Sequence, residues 1–195
     1  MLGMATTWRP EERAAGDYYT TAPTAVEEFI QHMQCKGLLT GSTFTPIWEP
    51  ACGCGNISKV LESHGYDVIS TDLHDRGFGM SGIDFLETTS IPEMCSTIIT
   101  NPPYSLANEF ILHAMKLLPG YGRYIALMNI SYLAGKNRFN DIYRCNYLST
   151  VYVYTHRINC YKNNIPTGHS SPVNYAWFEF TPLNKLKTTI EWIKR

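Results

Sequence analysis

Short apolar runs and amphipathic stretches alternate along the chain. The apolar runs are rich in β-branched and aromatic residues, which favours strands. The predicted strands are 46–48, 67–71, 97–100, 124–130, 149–154 and 175–181. Between them, apolar residues recur at helical spacing, predicting helices over 24–33, over 56–63, in the stretch before Pro119 and over 138–143. Such alternation is typical of a parallel sheet with helices on its faces.

The boundaries of some elements follow from individual residues. Thr24 and Glu27 have capping-box spacing, which predicts that Thr24 caps the first helix. Residues 159–172 are polar and contain Pro166 and Gly168, so a long loop is predicted there. The tail from 185 to 195 fits a strand or a helix equally well.

Composition places the chain among globular proteins, with 44% apolar and 17% charged residues in 195. One domain over 1–195 is predicted, with 1–23 as an N-terminal arm. The net charge of −1 at first argues against an acidic partner such as nucleic acid, but residues 1–100 carry −8 and residues 101–195 carry +7. The two halves are therefore expected to face different partners.

Cysteine usage and hydropathy indicate the compartment. The six cysteines are scattered, so we expect reduced thiols, and the spacing of Cys52 and Cys54 does not favour a metal site. No apolar run reaches the length of a membrane span, and the first residues lack the apolar core of a signal peptide. We expect a protein of the cytoplasm or nucleoid, or of the nucleus in a eukaryote, that is not secreted and has no membrane contact.

The first chemical signal is the stretch 49–55, Glu-Pro-Ala-Cys-Gly-Cys-Gly, between a predicted strand and a predicted helix. Ligands of open α/β sheets bind at such strand ends, although two glycines alone also fit a plain tight turn. Asp72 follows Gly55 by 17 residues, at the end of the next strand, where a carboxylate can accept both hydroxyl hydrogens of a ribose. A nucleoside-containing cofactor is indicated. Ser58 in place of a third glycine, and the lack of a Walker lysine, disfavour a pyrophosphate or triphosphate.

The second signal is Asn101-Pro102-Pro103-Tyr104, directly after the strand 97–100. Two prolines stiffen the loop and remove two backbone donors. The Asn101 side-chain oxygen and the Pro102 carbonyl can then accept hydrogen bonds from one planar amino group, and Tyr104 offers a ring for stacking. The pattern predicts a site that holds an amino group for nucleophilic attack.

Together these residues resemble the class I S-adenosylmethionine-dependent methyltransferases, and the Asn-Pro-Pro-Tyr motif is similar to that of adenine N6 DNA methyltransferases, including small bacteriophage-type and orphan members. Residues 17–23, 82–86 and 175–178 are also similar to segments of that family. Ala22 replaces the first proline of a usual pair, and Ser96-Thr97 stand where an aspartate often leads into the strand. The resemblance implies a Rossmann-like α/β fold, with a mostly parallel seven-stranded sheet, one antiparallel strand near the C-terminus and helices on both faces.

The resemblance also implies the roles of individual residues. The transfer site comprises Asn101, Pro102, Pro103 and Tyr104. The S-adenosyl-L-methionine site comprises Tyr19, Thr21, Pro23, Glu49, Pro50, Ala51, Gly53, Gly55, Asp72, Leu73, Asp84, Phe85 and Asn101. Apart from the resemblance, the position of Tyr161 in a predicted loop makes it a candidate for the opposite face of the base. The basic residues near the loops expected to flank the site are candidates for phosphate contacts: Lys136, Arg138, Arg144, Arg157 and Lys162.

The predicted reaction is methyl transfer from S-adenosyl-L-methionine to the N6 amino group of an extruded or single-stranded DNA adenine. Three alternatives stay open: the guanine N2 amine of ribosomal RNA, a protein glutamine amide, and an inactive subunit that only binds cofactor. No separate target-recognition domain is predicted, so a homodimer or a partner subunit is a candidate source of sequence recognition.

Overall fold

A computed structural model describes residues 19–38, 45–162, 173–184 and 186–194. Its strands are β1 Tyr19–Thr21, β2 Ile47–Glu49, β3 Val68–Ser70, β4 Thr97–Thr100, β5 Arg123–Asn129, β6 Leu148–Tyr154, β7 Cys160–Lys162, β8 Tyr175–Phe180 and β9 Thr189–Ile193. Its longer helices are α1 Pro23–Cys35, α2 Asn56–Ser63 and α3 Ala107–Leu117, and shorter turns cover Phe85–Glu87, Tyr104–Leu106, Ile130–Leu133, Lys136–Arg138 and Phe139–Tyr143.

Seven strands form one sheet in the order β3-β2-β4-β5-β8-β6-β9. Only β8 runs antiparallel to its neighbours β5 and β6. The fold prediction is confirmed in this respect, because the sheet is mostly parallel and its single reversed strand comes late in the chain. The ambiguous tail contributes β9, an edge strand parallel to β6.

Alternating residues along the strands point into two apolar cores, one on each face of the sheet. The first core joins α1 and α2 to Ile47, Ile99 and Ile125. The second joins α3 to Trp48 and Ile98. Because Ile47 and Trp48 are adjacent, and so are Ile98 and Ile99, the strands are buried on both faces, as expected for parallel strands covered by helices.

Two local predictions are wrong. Thr24 does not cap α1, because Pro23 already occupies the first helical turn and Ala22 stands at the cap without a side-chain hydrogen bond. The segment 159–172 does not begin as a loop, since Cys160–Lys162 forms β7, which pairs antiparallel with β1 in a separate two-stranded ribbon. The rest of that segment, 163–172, lies outside the described residues.

The described residues lack two features that would point to other functions. No helix among them is long and apolar enough to cross a membrane. Nor does that part of the chain contain a group of three histidine, cysteine or acidic side chains that could hold a metal ion.

Candidate active site

A cleft opens where β2, β3 and β4 end. The chain leaves β2 towards β3 on one side and later returns to β4 on the other, so this is a topological switch point of the sheet, where ligands of open α/β folds bind. The cleft encloses about 910 Å³ of space, its open mouth included. It is the functional-site candidate because sequence-predicted residues from five separate segments meet in it.

All predicted cofactor residues except Pro23 and Gly55 line this cleft. The lining members are Tyr19, Thr21, Glu49, Pro50, Ala51, Gly53, Asp72, Leu73, Asp84, Phe85 and Asn101. Pro23 instead begins α1, and Gly55 caps α2 in a left-handed conformation with φ of 82°. Of the predicted transfer residues, Asn101 and Pro103 line the cleft, whereas Pro102 and Tyr104 do not.

Glu49 forms the buried floor of the cleft. Its Oε2 accepts hydrogen bonds from the Ser58 backbone N–H at 2.9 Å and from the Ser58 hydroxyl, which ties β2 to the first turns of α2. Burial raises the pKa of the Glu49 carboxyl to about 8, against the opposing effect of the Ser58 hydrogen bonds. A cationic group entering the cleft would favour its ionised form.

Asp72 closes the opposite side of the glycine turn. Its Oδ2 accepts from the Gly53 N–H and its Oδ1 from the His74 N–H, each at 2.8 Å. These bonds fix the carboxylate without saturating it, since each carboxylate oxygen can accept more than one hydrogen bond. The arrangement leaves acceptor capacity in the cleft for a pair of hydroxyl groups.

Asp84 and Phe85 supply a wall with a polar rim and an apolar body. Asp84 caps a short turn by accepting from the Leu86 N–H at 2.9 Å. Phe85 is buried and packs edge-on against Trp48, with its ring centroid 4.8 Å from that of Phe110. Leu86 and Phe110 also line the cleft, so this end suits a flat apolar group with polar edges.

Asn101 is held in a defined orientation. Its Nδ2 donates to the Tyr19 carbonyl of β1 at 2.8 Å, which fixes which end of the amide is the donor. Its Oδ1 is buried and has no hydrogen-bond partner among the described residues, and the same is true of the hydroxyls of Thr21 and Thr100. A buried acceptor without a partner lowers the stability of the fold, so a ligand that donates a hydrogen bond to Asn101 Oδ1 would remove this cost.

Strand β1 links the Asn101 loop to the start of α2. The Tyr19 carbonyl binds Asn101, and two residues later the Thr21 carbonyl accepts from Asn56 Nδ2 at 2.9 Å, at the start of α2. β1 is itself held by its pairing with β7. Asn56 was not predicted as a site residue, and its position after Gly55 is its only sequence signal.

The Tyr104 side chain packs inside the protein against β1. Its ring stacks on that of Tyr19 with centroids 5.6 Å apart and lies 6.3 Å from that of Tyr175. Burial raises the pKa of the Tyr104 hydroxyl well above its usual value, and Cys160 and Tyr175 lie beside it. The predicted stacking of Tyr104 on a substrate base therefore requires one of these ring contacts to open.

The predicted substrate contacts lie on segments at the same edge of the sheet but outside the cleft. Lys136 and Arg157 are exposed, in the connections that follow β5 and β6. Tyr161 is on β7, half-buried against the first core. Arg138 donates to the carbonyls of its own connection, and the side chain of Lys162 lies outside the described residues.

Sequence reasoning missed several residues of the cleft. The additional lining residues are Thr20, Cys52, Cys54, Asn56, Ile57, His74, Arg76, Ile83, Leu86, Leu106 and Phe110. Most belong to the predicted segments or follow them directly, whereas Phe110 comes from α3, the helix predicted before Pro119. Burial raises the pKa of the Cys52 thiol to about 12, so this cysteine is poorly suited to be a thiolate nucleophile.

No family model matches the sequence, and no curated protein does either. Solved structures do resemble it. A candidate class I S-adenosylmethionine-dependent methyltransferase from Listeria monocytogenes matches with a TM-score of 0.59 at 12% identity over 89% of this chain and 65% of its own. A type I restriction-modification methyltransferase subunit from Streptococcus thermophilus gives 0.59 at 12% over 86% and 45%. The chain thus spans less than two thirds of either protein.

A third similar structure is the magnesium protoporphyrin IX methyltransferase of Synechocystis, solved with bound S-adenosylmethionine. It has a TM-score of 0.52 at 17% identity, over 82% of this chain and 78% of its own. At such low identities these likenesses concern the fold. The chain has the Rossmann-like fold of class I methyltransferases, which confirms the predicted fold class.

Proposed function

We propose that this chain transfers a methyl group from S-adenosyl-L-methionine to the N6 amino group of adenine in DNA. The observation that carries the proposal is the Asn101 side chain, whose amide nitrogen is anchored on Tyr19 while its oxygen is left as a buried acceptor without a partner. An exocyclic amino group is a donor that would satisfy it.

The cleft fits the proposed cofactor in its donors and acceptors. Asp72 has acceptor capacity for the ribose hydroxyls, Glu49 can pair with the amino group of the methionine moiety, and the Asp84–Phe85 wall suits an adenine ring. When bound, S-adenosyl-L-methionine supplies an electrophilic methyl group on a sulfonium centre. The fold neighbour with S-adenosylmethionine bound supports this assignment.

The residues of this chain would act by positioning. Asn101 Oδ1 and, although Pro102 does not line the cleft, the carbonyl of that adjacent residue would accept the two hydrogens of the adenine amino group and orient its lone pair towards the methyl carbon. The N6–carbon bond forms as the carbon–sulfur bond breaks, and the electron pair of that bond stays on sulfur. The surplus proton on N6 leaves to water, and S-adenosyl-L-homocysteine is released. This route needs no covalent nucleophile.

Two observations favour DNA among the possible acceptors. Residues 101–195, which include the connections at the cleft edge, carry +7, as expected for a partner with a phosphate backbone. One structural neighbour is a methyltransferase subunit of a restriction-modification system. We further propose that a second copy or a partner subunit supplies sequence recognition.

The test is methyl transfer by the full chain from labelled S-adenosyl-L-methionine to duplex DNA, single-stranded DNA, ribosomal RNA and a glutamine-containing protein, with the modified product identified by mass spectrometry. We expect N6-methyladenine in DNA. Label confined to RNA or protein would exclude the DNA assignment, and no transfer to any acceptor would favour the inactive-subunit alternative.

A matched pair of variants tests the role of Asn101. Asn101→Ala should reduce transfer by at least 100-fold, on the scale known for loss of one transition-state hydrogen bond, while cofactor affinity measured by calorimetry changes little. The control is Asn184→Ala, at the opposite edge of the sheet, where Asn184 Nδ2 donates to the Leu148 carbonyl. Transfer at the native rate by the Asn101 variant would contradict the mechanism.

A further inference from the structure

The connection between β5 and β6, residues 130–147, is built as a fixed platform beside the cleft. The Tyr132 hydroxyl donates to Asn108 Oδ1 near the start of α3, and the Tyr143 hydroxyl donates to the Tyr132 carbonyl at 2.6 Å. Ile142 is fully buried in the second core. Since α3 follows directly on the Asn101 loop, the platform is attached to the element that carries the proposed acceptor.

Arg138 organises the inside of this connection. Its Nε donates to the Tyr132 carbonyl at 2.9 Å, its Nη2 donates to the Ala134 carbonyl, and its guanidinium lies 4.5 Å from the centre of the Tyr132 ring. Gly135, with φ of 143°, makes room for it, because a Cβ there would lie 2.8 Å from Arg138 Nη2. Arg138 therefore uses its Nε and Nη2 donors within the platform.

The outward side of the platform combines an aromatic ring with cations. Phe139 is 58% exposed, although its neighbours on the inward side are anchored. Lys136, Asn140 and Arg144, on the same or adjoining turns, are also exposed, and Asp141 is the one carboxylate in the connection. The turn over Phe139–Tyr143 is π-helical, a geometry often found at functional sites.

We propose that the outward side of this platform binds the DNA strand next to the target base, with Phe139 stacked on a neighbouring base and Lys136 and Arg144 contacting phosphates. The inference rests on the proposed function. An aromatic ring flanked by cations is the combination that binds unpaired nucleotides, since the ring stacks on a base and the cations follow the backbone. Extrusion of a base leaves its neighbour without a stacking partner, and a rigidly held ring can replace it.

Binding of a fluorescent oligonucleotide, measured by anisotropy in the presence of S-adenosyl-L-homocysteine, tests the role of the ring. Phe139→Ala should weaken binding at least about fivefold, from the loss of one stacked base. Phe139→Trp should restore it. The control is Tyr121→Ala: Tyr121 is 79% exposed at the opposite edge of the sheet and should leave binding unchanged.

Salt dependence tests the cations separately. Lys136→Gln and Arg144→Gln should each lower the slope of log affinity against log salt by about 0.7 to 0.9, the value of one lost phosphate contact. An unchanged slope for both variants overturns the phosphate contacts.

Two outcomes separate this inference from the proposed function. If the wild type methylates DNA but Phe139→Ala binds DNA as tightly as the wild type does, the inference is wrong and the proposed function stands. Wild-type protein that neither binds nor methylates DNA overturns both. If Phe139→Ala alters the oligomeric state in light scattering without changing DNA affinity, the platform is a protein interface and the inference is wrong.

Discussion

Replacing Gly55 with alanine measures how closely the turn before α2 is packed. Gly55 has φ of 82°, and a Cβ built on it would lie 2.5 Å from the ring of Phe78. Real Cβ atoms do not approach a ring carbon so closely, so the Phe78 ring has to move. Gly65, just after the C-terminal end of the same helix, also has φ of 82° but has nothing within 4 Å of its Cβ position.

The pair of glycines separates two energetic costs. An alanine in the left-handed conformation costs about 1–2 kcal/mol, which both variants bear. Overpacking against Phe78 adds about 1–3 kcal/mol to Gly55→Ala alone. Gly65→Ala should therefore lower the free energy of unfolding by about 1–2 kcal/mol, and Gly55→Ala by about 2–5 kcal/mol.

Urea unfolding followed by circular dichroism gives both values, provided that the two variants share the m-value of the wild type. In a chain of this size, Gly55→Ala should lower the melting temperature by roughly 4–20 °C. Phe78→Ala in the Gly55→Ala background should remove the steric part of the loss. Equal destabilisation by Gly55→Ala and Gly65→Ala would refute the argument that Phe78 restricts the turn.

Two further predictions concern buried ionisable groups. Because Glu49 has a pKa of about 8 in the folded protein, the free energy of unfolding should fall as pH rises from about 5 to 8, by at most ~1.4 kcal/mol per pH unit. Glu49→Gln should lose this dependence when unfolding is followed in urea at several pH values. Parallel pH profiles for the wild type and the variant would contradict the prediction. Arg123 binds both oxygens of Glu179 at 2.8 and 2.9 Å, and the other partner of this buried carboxylate among the described residues is the Tyr152 hydroxyl. Arg123→Met should therefore lower the free energy of unfolding in urea by about 3 kcal/mol, and a double variant with Glu179→Met should recover much of that loss.

Local sequence patterns predicted the elements that local interactions define. The predicted helix 56–63 and strand 97–100 coincide with α2 and β4. In both, the apolar spacing and the flanking residues describe the same face, so propensity and burial agree. The positions of Glu49 and Asp72 at strand ends were also predicted. They lie near each other because parallel strands place their carboxyl ends at one edge of the sheet.

Long-range pairing accounts for what the sequence did not predict. β1 and β7 are three residues each and pair across about 140 positions, so neither has a local signal of its own. That ribbon supplies the Tyr19 carbonyl that orients Asn101 and the ring that stacks on Tyr104. The motif predicted an acceptor at Asn101, but the direction of its amide depends on a strand that local patterns could not identify.

The acidic residues of the first half of the chain illustrate how net charge changes meaning once positions are known. Asp72 and Asp84 each accept backbone N–H hydrogen bonds at the cleft, and burial keeps the Glu49 carboxyl largely protonated at neutral pH. A protonated Glu49 carries no charge and does not repel a polyanion. Lys136 and Arg144, by contrast, are exposed on the platform after β5. A polyanion approaching that side meets cations first, so a whole-chain charge of −1 is compatible with DNA binding that weakens steeply with salt.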